Sequence, residues 1–174
     1  MKIIKYPQME QLLTNYKKID GASASIQHEI QGCSTGFSES DFIEGISLGR
    51  SSLANTAVDT GTYVSDKTSS TALSYKYRME QAKDDIYHEL TKELAAINIV
   101  LDKLNIGLRA LPEETRKIIE LKYFEDLFWV DIERRLVRSV SSMQDMRRKG
   151  IKTLCSVSRI TNKQYVETMR LLNL

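Results

Sequence analysis

The chain has 174 residues, with 25 Lys and Arg against 23 Asp and Glu, a formal net charge of +2 and an apolar fraction of 41%. That length fits one domain or two small ones, and so small a net charge says nothing by itself about nucleic acid. The longest apolar runs, such as Ile99-Val100-Leu101, are far too short to span a bilayer, and MKIIKYPQMEQ lacks the apolar core of a secretory signal, so a cytoplasmic protein without membrane contact is expected.

Residues 1–31 are expected to hold one N-terminal helix, running from about Pro7 to Ile30. Met9, Leu12, Tyr16, Ile19, Ile26 and Ile30 step by threes and fours, with Ser23 filling the gap. Gly21 and the small residues after it mark the place for a kink, and they also allow another helix to come close. Residues 32–73 read as a flexible linker: from Gly32 to Ser74, Ser, Thr and Gly supply 21 of 43 positions. Only the island Phe42-Ile43 with Ile46 and Leu48 is apolar enough there to dock.

Residues 74–110 carry the longest helical pattern. Tyr75, Met79, Ala82, Ile86, Leu90, Leu94, Ile97, Leu101, Leu104 and Leu108 form one seam with a step of about 3.67 residues, near the 3.6 of a straight helix. A single apolar seam of that length requires a partner: the N-terminal helix folded back, a second copy in a homodimer, or both. Gly107, near the end, is expected to loosen the junction with the C-terminal part.

Residues 111–174 are expected to form a helix-turn-helix domain with a C-terminal extension. Leu111-Pro112-Glu113 is a helix start, with Pro112 in the first turn and Glu113 and Glu114 at the positive end of the dipole. After it come a helix to about Phe124, a short second helix, a tight turn and a third helix rich in Arg and Lys. That order is the pattern of a motif that lays its last helix in a DNA groove. Charge changes sign at the turn. From Leu111 to Leu136 there are seven acids and five bases; from Val137 onward there are eight bases against Asp145 and Glu167. Cations gathered on one helix and its tail are the footprint of phosphate binding, so residues 108–174 alone are expected to bind duplex DNA.

Leu111–Leu154 resembles region 4 of bacterial sigma-70 factors. The likeness rests on the Leu-Pro-Glu opening, the run Ile119-Glu120-Leu121-Lys122-Tyr123-Phe124-Glu125, and apolar Leu127, Ile132, Leu136, Met143 and Met146. It continues through Arg147-Arg148-Lys149 with Ile151 and Leu154. The wider layout has a leading helix, a Ser/Thr-rich middle with Val64-Ser65-Asp66-Lys67-Thr68, a long amphipathic helix and a final motif with Trp129. It is similar to the late-gene activators of phages and prophages in Gram-positive bacteria, of the RinA and ArpU type and the positive control protein of defective Bacillus prophages. The resemblance implies an all-α transcription regulator whose partners are double-stranded DNA and RNA polymerase.

Three positions depart from the family pattern. Val137 stands where Gly is usual at the turn, Phe128 replaces a Ser or Thr cap, and Glu133 takes a small-residue position at the helix crossing. Together they predict a locally distorted turn. Helical geometry then assigns roles. With Met143, Met146, Gly150 and Leu154 inward, Val140, Ser141, Gln144, Asp145 and Arg148 face outward. Gln144 suits adenine, Arg148 guanine and Val140 a thymine methyl. Ser139 is the expected cap, and Arg138, Ser142, Arg147, Lys149 and Lys152 are placed for phosphates.

Enzymatic chemistry has no footing in the pattern. His28 and His88 lie on separate helices, Cys33 and Cys155 lack metal-ligand spacing, and no glycine loop cradles phosphate, so no cofactor and no catalytic residue is expected. Two other classes compete with transcription control. A small terminase subunit also joins a helix-turn-helix to assembly helices, and assembly as a ring would mark it. A helical protein-interaction module would show no salt-sensitive DNA binding.

Overall fold

A computed structural model describes residues 2–35 and 67–173. These are almost wholly helical: α1 (Tyr6–Thr14), α2 (Tyr16–Thr35), α3 (Lys67–Arg109), α4 (Glu113–Ile119) continuing into a π-turn (Glu120–Phe124), α5 (Trp129–Leu136), α6 (Val140–Ser158) and α7 (Asn162–Leu171). None is long and apolar enough to cross a membrane. The chain forms two compact units, one of Met1–Ile26 with Lys92–Leu174 and one of Gln27–Thr91.

The N-terminal segment is two helices, and the break falls at Asn15 instead of Gly21, which lies inside α2. The cause is local. Thr14 Oγ1 donates to the Glu10 carbonyl at 2.9 Å and Asn15 Nδ2 to the Gln11 carbonyl at 2.9 Å. Side chains that bond backbone carbonyls in this way offer the chain an alternative to regular helix. Asn15 sits at φ −97° and ψ 10°, between the two.

In the first unit the seam of α3 is covered from within the chain. Ile97, Leu101, Leu104 and Leu108, joined by Val100, share one core with Met9, Leu12 and Leu13 of α1 and Ile19 of α2. The N-terminal helices have therefore folded back as one of the expected partners. Ser23 Oγ donates to Asn98 Oδ1 at 2.7 Å and the Tyr16 hydroxyl to Asn105 Oδ1 at 2.9 Å, which sets the register of α2 along α3. Each fully buried Leu, Ile or Met contributes roughly 1.5–3 kcal/mol over leaving it in water, so this face dominates the packing energy.

Gly107 does not loosen the junction. It is buried, and a Cβ there would lie 3.0 Å from Leu154 Cδ2 and 3.4 Å from Ser158 Cβ. The missing side chain lets α3 approach α6 closely. A second tie lies at the C-terminal end of α6: Ile3 bridges Thr161 in an antiparallel pair, with Ile4 N–H on the Ile160 carbonyl at 3.0 Å and Asn162 N–H on the Lys2 carbonyl at 2.9 Å. Thr161 then caps α7, accepting from Gln164 N–H at 3.3 Å while its own N–H donates to Gln164 Oε1 at 3.0 Å.

The second unit contains the end of α2 and the first part of α3. None of its residues of described burial is buried, and Tyr77, Ile86 and Tyr87 are exposed. Helix occupies the flanks of the segment expected as linker, since α2 reaches Thr35 and α3 begins at Lys67. The rest of that segment, with the island around Phe42 and Ile43, lies outside the described residues.

Candidate nucleic-acid interface

Three helices build the site, and each boundary has a chemical cause. Pro112 is the N-cap of α4, at φ −54° and ψ 143°, with Glu113 and Glu114 in the first turn. Beyond Ile119 the helix widens by one residue, marked by the Glu125 N–H bonding the Glu120 carbonyl at 3.0 Å. A π-turn of this kind is rare and shifts the angular register of everything after it. Here it keeps Leu121 in the core of the motif while Tyr123 and Phe124 pack on the N-terminal helices, the Phe124 ring stacked on Tyr16 at 4.2 Å between centroids. The turn is not legible in the sequence, because i, i+3, i+4 spacing has no signature for one extra residue.

Asp126 at φ 52° ends the segment, and α5 starts at Phe128, an N-cap without a side-chain bond and exposed to 76%. Trp129 packs half-buried at the start of α5, with Lys122 Nζ 6.0 Å and Arg147 Cζ 5.8 Å from its ring centroid. The small core between the motif helices consists of Ile118, Leu121, Ile132 and Met143, with Leu127, Leu136, Val140 and Met146 around it.

The turn between α5 and α6 is not distorted as expected. Val137 adopts the left-handed conformation that Gly would take, φ 50° and ψ 46°, and its N–H closes on the Glu133 carbonyl at 2.8 Å. The geometry survives, and the misfit is carried as strain on a β-branched residue 91% exposed.

α6 presents the inward set expected of it: Met143, Gly150 and Leu154 are buried and Met146 is half-buried. Gly150 is the contact with α4, where a Cβ would lie 2.6 Å from Thr115 Cγ2 and 3.1 Å from Ile119 Cδ1. Ser139 occupies the N-cap but makes no cap bond, so its exposed hydroxyl is uncommitted within the helix end. Ser141, Asp145, Arg148, Lys149 and Lys152 are exposed, while Ser142 and Gln144 are half-buried. Val140, expected outward, instead rests half-buried on the motif core.

The cations divide into three states. Arg148 pairs with Asp145 at 3.4 Å and Arg138 with Glu114 at 3.2 Å, both on exposed ground where such pairs hold weakly. Lys149 and Lys152 make no ion pair among the described residues. Arg147 is different. Expected at phosphates, it turns inward, where its Nη1 donates to Glu10 Oε1 at 2.9 Å and lies 3.0 Å from the Tyr123 hydroxyl. Tyr123 in turn donates to the same carboxylate oxygen at 2.7 Å. Burial first, and the bond to Glu10 second, hold the Tyr123 phenol far above its usual range, against the opposing pull of Arg147. Neutral phenol, carboxylate and guanidinium thus lock α1, the π-turn and α6 together. Comparison with protein-family models, curated proteins and solved structures finds no match to this chain.

Proposed function

We propose that the chain is a sequence-specific DNA-binding transcription regulator, an activator of phage or prophage late genes that works at promoters with RNA polymerase in the cytoplasm. The observation that carries the reading is α6. From the strained turn to Lys152 it presents an uncommitted Ser139 hydroxyl, exposed Ser141, Asp145 and Arg148, and Lys149 and Lys152 without an ion pair among the described residues, while its opposite face is buried in the motif. Polar and cationic groups on one face of a helix, with the apolar face held rigidly behind, suit insertion into a major groove.

In this reading Gln144 and Arg148 touch base edges. Ser139, Arg138, Ser142, Lys149 and Lys152 hold phosphates, which fix position without specifying sequence. The pairs Arg148–Asp145 and Arg138–Glu114 exchange carboxylate for DNA at small cost, because exposed pairs contribute about 0–1 kcal/mol. Arg147 stays with Glu10 and Tyr123 and orients α6 from behind.

Duplex binding measured by fluorescence anisotropy over a salt series tests the assignment. Gln144→Ala or Arg148→Ala should cost about 1–3 kcal/mol on the selected site and spare random sequence. Lys149→Gln or Lys152→Gln should weaken both alike and lower the salt slope by about one each. Binding that ignores salt, or identical behaviour of the two sets, would sink it.

A further inference from the structure

At the C-terminal end of α6 the fold assembles a second group of cations, separate from those assigned to DNA between Arg138 and Lys152. Pairing of Lys2–Ile4 with Ile160–Asn162 brings Lys2 and Lys5 beside Arg159 and Lys163. Lys103 joins them from α3, its Nζ donating to the Arg159 carbonyl at 3.3 Å and to Gln164 Oε1 at 2.9 Å. These five come from three distant stretches of sequence. None makes an ion pair among the described residues. Asp102, beside Lys103, and Glu167, one turn after Lys163, are the nearest acids in sequence, and they leave an excess of positive charge. Lys2, Lys5, Arg159 and Lys163 are all exposed.

Local stability does not account for the group. Lys103 and Arg159 complement the negative end of α6, but Lys5 is the N-cap of α1 and Lys163 lies in the first turn of α7, where the helix dipole disfavours a cation. Charges gathered against that preference, with no carboxylate partner among the described residues, fit an external anion. α6 rises about 1.5 Å per residue, so Arg159 stands roughly 28 Å along it from Val140. A duplex carries one phosphate charge per roughly 1.7 Å of axis, so a duplex that runs along α6 past the groove its N-terminal part enters offers a dense row of them at that distance.

We infer that Lys2, Lys5, Arg159 and Lys163, with Lys103 behind them, form a second surface for the phosphate backbone of the same duplex, beyond the segment α6 enters. The inference rests on the DNA-binding reading and extends the footprint without adding sequence specificity. Neutralising four cations should therefore act on long DNA only.

The test is the salt dependence of the full chain on a short duplex of one site and on the same site lengthened by about one and a half helical turns on each side. In the variant Lys2→Gln, Lys5→Gln, Arg159→Gln, Lys163→Gln, the slope of log K against log salt should fall by roughly two or more on the long duplex, since each phosphate no longer neutralised removes about 0.9. On the short duplex it should stay unchanged. Should that variant melt early, the separate doubles Lys2→Gln with Lys5→Gln and Arg159→Gln with Lys163→Gln each carry the prediction at half size, and Arg159→Lys with Lys163→Arg should restore the slope. An unchanged slope on the long duplex overturns the inference, whether the patch then serves an acidic protein or only solvent. If binding of the short duplex remains sensitive to Lys149→Gln and Lys152→Gln in that case, the α6 reading stands and only the second surface falls.

Discussion

At the residue scale, two positions hold the motif in opposite ways. Val137 carries a Cβ into the left-handed region, which costs roughly 1–2 kcal/mol, and its exposure means the side chain returns almost nothing by burial. Val137→Gly keeps the N–H bond to Glu133, so it is expected to raise unfolding free energy by about 1 kcal/mol in urea titration, with DNA affinity unchanged. An equal or lower midpoint would show that the turn is not strained. Gly150 is the reverse. A methyl there meets the stiff, β-branched Thr115 at 2.6 Å. Overpacking at about 1–3 kcal/mol outweighs the gain of nearly 1 kcal/mol that Ala brings inside a helix. Gly150→Ala should lower the melting temperature, and adding Thr115→Ser should recover part of the loss.

At the element scale, the π-turn and the Glu10–Tyr123–Arg147 cluster act as one device. The extra residue aims Tyr123 at α1, and α1 supplies the carboxylate that holds both the phenol and the Arg147 guanidinium of α6. The pH dependence comes from the sign of the shift. The folded pKa of Tyr123 is raised, so its contribution is fully present below the ordinary tyrosine value near 10. It is lost as pH rises above that value, where the unfolded chain releases a proton that the folded chain keeps. Tyr123→Phe should cost about 1 kcal/mol at neutral pH and make stability fall less steeply at about pH 10–11. Melting curves of both proteins over that range check it; parallel alkaline losses would mean that Tyr123 is not the group responsible.

At the scale of the whole molecule, the N-terminus is part of the motif's support. Met9, Leu12 and Leu13 of α1 are fully buried in the same core as Ile151 and Leu154 of α6. A fragment of residues 108–174 is therefore expected to lack a cooperative melt and to bind DNA weakly, contrary to what charge distribution alone suggests. Restoring residues 1–35 in trans as a peptide with 92–174 should recover helicity by circular dichroism. A fragment 108–174 that melts like the full chain and binds DNA as tightly would show that α1 is dispensable.

The features legible along the chain are those that short-range physics encodes. The helix start at Pro112, the starts of α5 after Phe128 and of α6 after Ser139, and the inward set Met143, Met146, Gly150 and Leu154 come from a proline-led start and a 3.6-residue period, which are properties of neighbouring residues. The seam of α3 was equally legible from Ile97 to Leu108, where its need for a partner is met, whereas Ala82 and Ile86 on the same stripe are exposed. Which partner came was a matter of three-dimensional packing, because an apolar stripe specifies burial without specifying against what. Packing also turned Arg147 away from solvent: the run Arg147-Arg148-Lys149 is uniform in charge, and only the arrival of Glu10 and Tyr123 from other helices distinguishes its first member. Gly107 and Gly150 became close helix contacts for the same reason, since the value of a missing side chain depends on the surface that approaches it.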